Sequence, residues 1–468
     1  MTFKSAVQKL LDLYNQPLPE KTFFRGLIFC SIAALLLRIL LALPALSEPA
    51  TLLRPDSMGY WEPARAIASG DGLVSSPGSV QPEVVRPVGY SAFLALGMLF
   101  SGESLLFAAL LGCIAGASAI IPVMLAARKL LTGRAAVCGG ILYTLNITAI
   151  AASPLILSDT LLGVLTAWQF FFAIYFIKEK SLMHFAALTV LAIAGTLVKP
   201  VNLPITLIGL PLILLLAKLP YRELLRGALL WAVLLMALLV PYWVRNAAIC
   251  GDFDGNTANL YFHNGSAVMA HVTCESSEVW RDRLLAQAAD EFASHPEKYP
   301  TIKEQNQWKK AQFRAMIKEY PAAFCITHLP NIFNLLPDVP SLLENNHASS
   351  TGRGTMAVLR QKGFFAAVDH YLNGRWGMLF YLLPLLILYA LTMLLALIQL
   401  FLYLKKRDWQ AILLFGTLVF YYVWAPGPVI SPRYLLPALP MIIFMAVQCG
   451  TYFNSKSTFN NISQEVRS

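Results

Sequence analysis

Residues 377–404 read GMLFYLLPLLILYALTMLLALIQLFLYL without one charged side chain, and Lys405-Lys406-Arg407 follow at once. About 20 apolar residues cross a bilayer as a helix, and basic residues gather at the cytoplasmic end of such a span. This stretch therefore predicts a transmembrane helix with its C-terminal end in the cytoplasm. Working outward, further apolar runs occur at 24–46, 104–127, 135–152, 160–177, 181–198, 201–217, 227–244, 409–425 and 433–450. The expected fold class is an all-α polytopic membrane protein with about ten spans.

The composition agrees. Of 468 residues, 57% are hydrophobic and 13% charged, with a mean hydropathy of +0.59. Soluble domains carry roughly 25% charge, so a soluble enzyme is excluded. The net charge of +10 does not mark a nucleic-acid binder, because no basic stripe with interleaved aromatics is present. None of the seven cysteines forms a CxxC or Cys/His metal spacing. Cys250, Cys274 and Cys325 fall in a polar stretch, where a Cys250–Cys274 disulfide is one option in an oxidising compartment. His263, His271 and His328 are scattered without ligand spacing.

The basic residues set a direction. Lys4, Lys9, Lys21 and Arg25 precede or open the first run, which lacks a cleavage site and reads as a retained span. Arg128, Lys129 and Arg134 follow the second run, Lys178 and Lys180 the fourth, Lys218, Arg222 and Arg226 the sixth, and Lys405–Arg407 the eighth. All land on one side if each run crosses once, and both termini are then cytoplasmic. The opposite side receives 47–103, 153–159, 199–200, 245–376 and 426–432. The expected organisation is an N-terminal membrane domain, 1–244, with a large outer loop at 47–103. A helical outer insertion, 245–376, follows, and membrane helices with a cytoplasmic tail, 377–468, close the chain. The 12 residues 89–100 are too short to span and are expected to lie at the interface.

Ionisable residues at membrane boundaries are costly unless used, and here they gather at the outer ends of spans. Asp56 and Tyr60 lie four apart in Arg54-Pro55-Asp56-Ser57-Met58-Gly59-Tyr60, on one face if helical. A carboxylate there can take a proton from an attacking hydroxyl; it can equally cap a helix. Arg86 sits in a Pro/Gly turn, Arg86-Pro87-Val88-Gly89-Tyr90, and suits a phosphate or lipid headgroups. Asp159 opens a span, where capping is the plain reading. Lys199 and Arg433 stand on the outer side against the positive-inside bias. Pro241-Tyr242-Trp243-Val244-Arg245-Asn246 combines an aromatic belt with an Arg-Asn pair that the belt does not explain.

These motifs, in this order, resemble a family. The chain resembles the bacterial polyprenyl-phosphate-sugar glycosyltransferases of the C-type membrane fold, that is, glycosyltransferase family 39 with its protein O-mannosyltransferase and lipid A aminoarabinose transferase neighbours. Asp56 to Tyr60, with Ala64 and Gly70, is similar to the acidic motif of the first outer loop. Arg86-Pro87-Val88-Gly89-Tyr90 is similar to an Arg/Lys-Pro-Pro-x-Tyr turn, with Val88 in place of the second proline. Ser158-Asp159 stands where Ser-Glu is usual. Pro241 to Asn246, then Asn259-Leu260-Tyr261 and Asn264, resemble Pro-Trp-x-x-Arg-Asn and its sequel. Arg433-Tyr434-x-x-Pro437 resembles the closing motif. Ser57 replaces the second of two adjacent acids, and about ten spans are fewer than the best-known relatives have.

The resemblance implies an inverting transfer of a sugar from undecaprenyl phosphate to a periplasmic or outer-leaflet lipid, glycan or protein, in the bacterial inner membrane. It implies Asp56 as general base and Arg86, Arg245, Arg433 and Lys199 as stabilisers of the leaving phosphate. Tyr60, Tyr90, Asp159 and Asn246 would position sugar or phosphate, and segment 245–376 would cover the site. A divalent metal at Asp56 stays open. The competing readings are a surface-polysaccharide polymerase or ligase, which uses a similar donor, and a secondary transporter or flippase. No inverted repeat is visible for the latter, and Arg38 is the clear charge inside a predicted span.

Overall fold

The structure is a computed structural model that describes Lys9 and residues 12–253, 257–346 and 355–451. Among these residues the only strand pairing is one isolated bridge, Val74 to Pro82. The first half of the chain forms α1 (Glu20–Ser47), α2 (Met58–Ser69), α3 (Val88–Ser101), α4 (Leu105–Leu130), α5 (Gly133–Thr144), α6 (Ile147–Ala152) and α7 (Ser158–Glu179). Next come α8 (Leu182–Val198), α9 (Pro200–Leu216), α10 (Tyr221–Leu238) and α11 (Val240–Cys250). The insertion contributes α12 (Ser277–Ser294), α13 (Ile302–Glu319) and α14 (Val339–Asn345). The bundle closes with α15 (Trp376–Lys406), α16 (Trp409–Trp424) and α17 (Pro432–Thr451).

Five of these helices, α1, α4, α7, α15 and α17, are long and apolar enough to cross a membrane, and the bent pair α10 and α11 would make a sixth. Several expected crossings depart from a single straight helix. Residues 135–152 break into α5 and α6, because Asn146 leaves the helix and its Oδ1 caps the Ala149 amide at 3.0 Å. Residues 227–244 bend by 44° at Leu239, just before Pro241, whose ring cannot accept a straight helix behind it. Residues 201–217 start as a 3₁₀ turn and pass through a π segment at Ile205–Gly209 before turning α-helical.

Burial separates lipid-facing from central helices. Only 28% of α1 and 33% of α15 lie inside the bundle, against 78% of α17. Ile28, Phe29, Leu36 and Leu40 on α1, and Phe380, Leu383, Ile387 and Leu391 on α15, are exposed, as a lipid-facing stripe requires. Phe444 on α17 packs on Phe170 of α7 and Phe415 of α16, at ring distances of 5.5 and 4.9 Å.

Arg38, inside α1, is completely buried. Its Nε donates to Ser153 Oγ at 3.0 Å and Nη1 to the Ala34 carbonyl at 3.1 Å. It thereby anchors residues 153–157, buried non-helical backbone between α6 and α7. Such backbone is tolerated at membrane depth only when enclosed by protein. Gly112 and Gly116 of α4 leave the room: a Cβ on either would stand 2.4 Å from Ser153.

The two ends of the bundle carry different partners. At one end Lys129 pairs with Glu179 at 2.5 Å and Arg128 with Glu20 at 3.5 Å, joining loops expected to share the basic side. The expected outer loops meet at the other end. The insertion has a small core of its own, with Tyr261, Leu284, Ala288 and Phe313 at its centre. Segment 328–340 leads into α14, whose Leu342 and Leu343 pack on Ile147 and Ile150 of α6. Cys250 and Cys274 are not joined: the first is buried with Sγ on the Asn246 carbonyl, the second is exposed.

Gly89 begins α3 against the end of α8, where an added Cβ would lie 2.7 Å from the Leu197 carbonyl carbon and oxygen. Backbone cannot retreat as a side chain can. We expect Gly89→Ala to destabilise the protein by about 1–3 kcal/mol through overpacking, read as a lowered Tm in detergent. Gly377→Ala, which meets nothing within 4 Å, should leave Tm unchanged.

Candidate functional site

The first outer loop places its acid by a tight turn. Ser57 is buried, its Oγ accepts from the Arg54 amide at 2.8 Å, and its own amide donates to the Arg54 carbonyl at 2.8 Å. Asp56 is thereby held on the crest of the turn, its side chain 44% exposed. Its Oδ1 accepts from Arg86 Nη2 at 2.6 Å, and among the described residues Oδ2 has no hydrogen-bond donor. Burial works against the charge of Arg86, but Tyr60 and Asp56 hold its pKa above the ordinary value. Its guanidinium lies 5.2 Å from the Tyr60 ring centre, within cation–π range.

Tyr60 joins this pair to the next. It is buried, meets Tyr90 edge-on at 5.1 Å, and its hydroxyl lies 3.1 Å from Ser158 Oγ. The neighbouring residue, Asp159, is 4% exposed. Its Oδ1 accepts from Lys199 Nζ at 2.5 Å, and its Oδ2 pairs with Arg433 Nε at 3.2 Å. Lys199 Nζ also lies over the Tyr434 ring at 4.2 Å. The capping role that Asp159 could have filled is secondary to this: its carboxylate is a buried counter-ion for two cations from two other helix ends. Neither terminal Nη of Arg433 has a protein partner among the described residues.

The structure thus brings together Asp56, Tyr60, Arg86, Tyr90, Asp159, Lys199 and Arg433. It sets Arg245 and Asn246 apart from them in bonding. Arg245 donates to the Glu83 carbonyl, the Leu73 carbonyl and Asn246 Oδ1, and the buried Asn246 donates in turn to the Phe253 carbonyl. His263 lies within electrostatic reach of Asp56 and Arg86; burial and Arg281 hold its imidazole below the ordinary value. No group of three His, Cys, Asp or Glu among the described residues could hold a metal ion.

Two acids escaped the sequence reading. Glu83, 8% exposed, accepts from the Val85 and Arg86 amides. Asp338 is buried, caps α14 through the Ser341 amide, and lies in the field of Arg433 and Arg54. Burial raises its pKa from the ordinary value. The signal for Asp338 was present in Pro337-Asp338-Val339-Pro340, a helix start. Arg54 belongs to this side: it pairs with Glu344 at 2.9 Å and reaches Asn345 Oδ1, tying the first loop to α14.

Asp159→Asn leaves Lys199 and Arg433 as half-buried like charges without a counter-ion. Breaking a buried pair typically costs about 3–5 kcal/mol, so we expect a Tm drop in detergent that is far larger than for Asp56→Asn.

No family model matches the sequence, and no curated protein matches it. Solved structures do match its fold. The archaeal oligosaccharyltransferase AglB from Archaeoglobus fulgidus, solved in complex with an inhibitory peptide and a dolichol-phosphate, superposes with a TM-score of 0.51 at 14% identity. The match covers 95% of this chain and 52% of AglB. The apo form of the same enzyme gives 0.50 at 14% identity, over 96% and 52%. ArnT from Cupriavidus metallidurans, bound to undecaprenyl phosphate, gives 0.40 at 15% identity, over 90% and 77%. This chain spans about half the length of the oligosaccharyltransferase. It is an all-α, multi-pass membrane protein with the C-type glycosyltransferase fold.

Proposed function

We propose that the protein is an inverting glycosyltransferase that moves a sugar from a polyprenyl-phosphate carrier to an acceptor on the outer face of the membrane. The observation that carries this reading is the cluster of Arg86, Lys199 and Arg433 around two carboxylates at one end of an apolar bundle. Cations held at the mouth of a membrane bundle suit an anionic headgroup on a lipid tail. The fold supports the reading, since AglB, which shares it, was solved with a dolichol-phosphate.

In this proposal Asp56 is the general base. Arg86 fixes its Oδ1, which leaves Oδ2 to take the proton from the acceptor hydroxyl as that oxygen attacks the anomeric carbon. The carbon–oxygen bond to the carrier phosphate breaks on the opposite face, and the anomeric centre inverts. The leaving phosphate gains charge as the bond breaks. Preorganised donors aimed at such charge lower the barrier, and the two unengaged Nη groups of Arg433, with Lys199 and Arg86, supply them. Asp159 keeps Lys199 and Arg433 in place without neutralising both. Tyr60 and Tyr90 shape the wall between the two carboxylates. An apolar pocket lies within the bundle, lined by Thr166, Phe170, Ile205, Phe415, Tyr422 and Met441, and would seat part of the prenyl tail.

On the same reading, residues 47–103 are the catalytic loop of an N-terminal membrane domain ending at 244. Segment 245–376 is a covering insertion, and 377–468 completes the membrane body and the cytoplasmic tail. The site faces the periplasm of a bacterial inner membrane. The acceptor is a lipid, glycan or protein.

The test is release of undecaprenyl phosphate by purified protein, supplied with an undecaprenyl-phosphate-sugar pool and acceptor membranes from its source. Removing a general base typically lowers a rate by about 10²–10⁴-fold, so Asp56→Asn should lose release by that factor with Tm unchanged. Full activity in Asp56→Asn would remove it as the base. Arg433→Gln should weaken binding of undecaprenyl phosphate by about 10- to 100-fold, the loss of about 1.5–3 kcal/mol expected for a charge-assisted hydrogen bond.

A further inference from the structure

Arg245 looks in the sequence like one more outer-side cation, but its bonding differs from the others. Nη1 donates to the Glu83 carbonyl at 2.9 Å and to Asn246 Oδ1 at 2.8 Å, while Nη2 donates to the Leu73 carbonyl at 2.8 Å. Leu73 and Glu83 are the two feet of a hairpin. The Glu83 amide donates to the Leu73 carbonyl at 3.2 Å, the Ser75 amide to the Gln81 carbonyl at 2.9 Å, and Val74 bridges Pro82. The hairpin tip is pinned separately, by Asp71 Oδ2 accepting from the Gly78 amide at 2.9 Å. The guanidinium therefore straddles the open end of the hairpin and ties both feet to α11.

The next link is Glu83. Its buried carboxylate accepts from two successive amides, Val85 at 2.6 Å and Arg86 at 2.8 Å. That fixes the turn leading into Pro87, whose own φ is locked. Arg86 then reaches Asp56 at 2.6 Å. A run of direct hydrogen bonds thus extends from α11 through the hairpin to the Asp56 carboxylate. A guanidinium holding three oxygens, two of them backbone carbonyls, would have to abandon them to grip a phosphate. Carbonyls stripped of their donors in a partly buried setting are unfavourable.

We propose that Arg245 and Glu83 are positioning residues that set Arg86 against Asp56, and that Arg245 is not a phosphate ligand. The proposal rests on the reading of Asp56 and Arg86 as the reacting pair. It assigns to the Arg-Asn motif of α11 a structural task in the first outer loop, more than 150 positions earlier in the chain. Displacing a reacting group by about 1 Å is enough to lower a rate by roughly 10²-fold, so both residues influence turnover without touching the substrate.

The test pairs hydrogen–deuterium exchange of the full-length protein with a binding measurement. In Arg245→Ala and Glu83→Ala, amides of 73–87 should lose protection while those of α7 and α17 keep it. Glu83→Gln, whose amide oxygen can still accept from Val85 and Arg86, should retain protection and most activity. Turnover should fall roughly 10²-fold in the two alanine variants with KM nearly constant, and undecaprenyl phosphate should bind Arg245→Ala as it binds wild type. Unchanged protection of 73–87 in both alanine variants would overturn the positioning role. Lost undecaprenyl phosphate binding in Arg245→Ala with protection intact would make Arg245 a phosphate ligand after all. If wild type binds no undecaprenyl phosphate, the glycosyltransferase reading fails, and the exchange result still decides the positioning role. Should Arg245→Ala not fold, Arg245→Lys removes the two-pronged grip and gives the same reading.

Discussion

The buried carboxylate of Asp159 is the interaction on which the rest of this end of the molecule depends. It opens α7, accepts from Lys199 at the end of α8, and pairs with Arg433 at the start of α17. A single buried charge costs several kcal/mol unless it is paired and hydrogen-bonded. The Asp159 carboxylate can therefore be buried only with the half-buried Lys199 and Arg433 beside it. That requirement fixes how these helix ends meet, and it holds two cations at the mouth of the bundle that would otherwise repel one another. Arg433 contributes its Nε to this pairing, and its Nη groups have no protein partner among the described residues.

Below this layer the bundle relies on fit. Arg38 has no acidic partner in contact among the described residues and instead donates to Ser153 and the Ala34 carbonyl, which stabilises the irregular backbone between α6 and α7. Gly112, Gly116 and Gly89 let backbones approach where a methyl group has no room. Membrane helices commonly use small residues in this way, because lipid offers no hydrophobic drive for helices to associate. The consequence is geometric: residues 153–157 deliver Ser158 and Asp159 to the site, and Gly89 seats α3 so that Arg86 and Tyr90 arrive beside Tyr60.

Two carboxylates with different surroundings divide the site. Asp159 is enclosed and doubly paired, and it organises charge. Asp56 is half-exposed and paired with Arg86 through one oxygen. Tyr60 stands between them, with its ring against Arg86 and its hydroxyl on Ser158. Arg54 connects the same loop to Glu344 and Asn345 of the insertion, so movement of α14 would be felt at the base of the Asp56 turn. Asp338 lies on that side too, buried beside the start of α14.

What the sequence determined by itself was everything that hydropathy over one span can carry. The membrane class and the approximate helix positions follow from about 20 neighbouring residues at a time, and Asp56, Arg86, Asp159, Lys199 and Arg433 could be named as candidate boundary charges. Their partners could not be named. Whether Asp159 caps its own helix or binds Lys199 depends on residues 40 and 274 positions away. Arg245 and Arg433 look alike as outer-side arginines, yet one is engaged by carbonyls of a hairpin and the other keeps its Nη donors open. Asp338 and Glu83 are buried by packing that their sequence neighbours do not encode. The break at Leu145 and Asn146 was hidden because cap geometry competes with an apolar run only once neighbouring helices are packed. Hydropathy is local and survives in the sequence. Hydrogen-bond satisfaction is set by distant groups, and only the tertiary structure decides it.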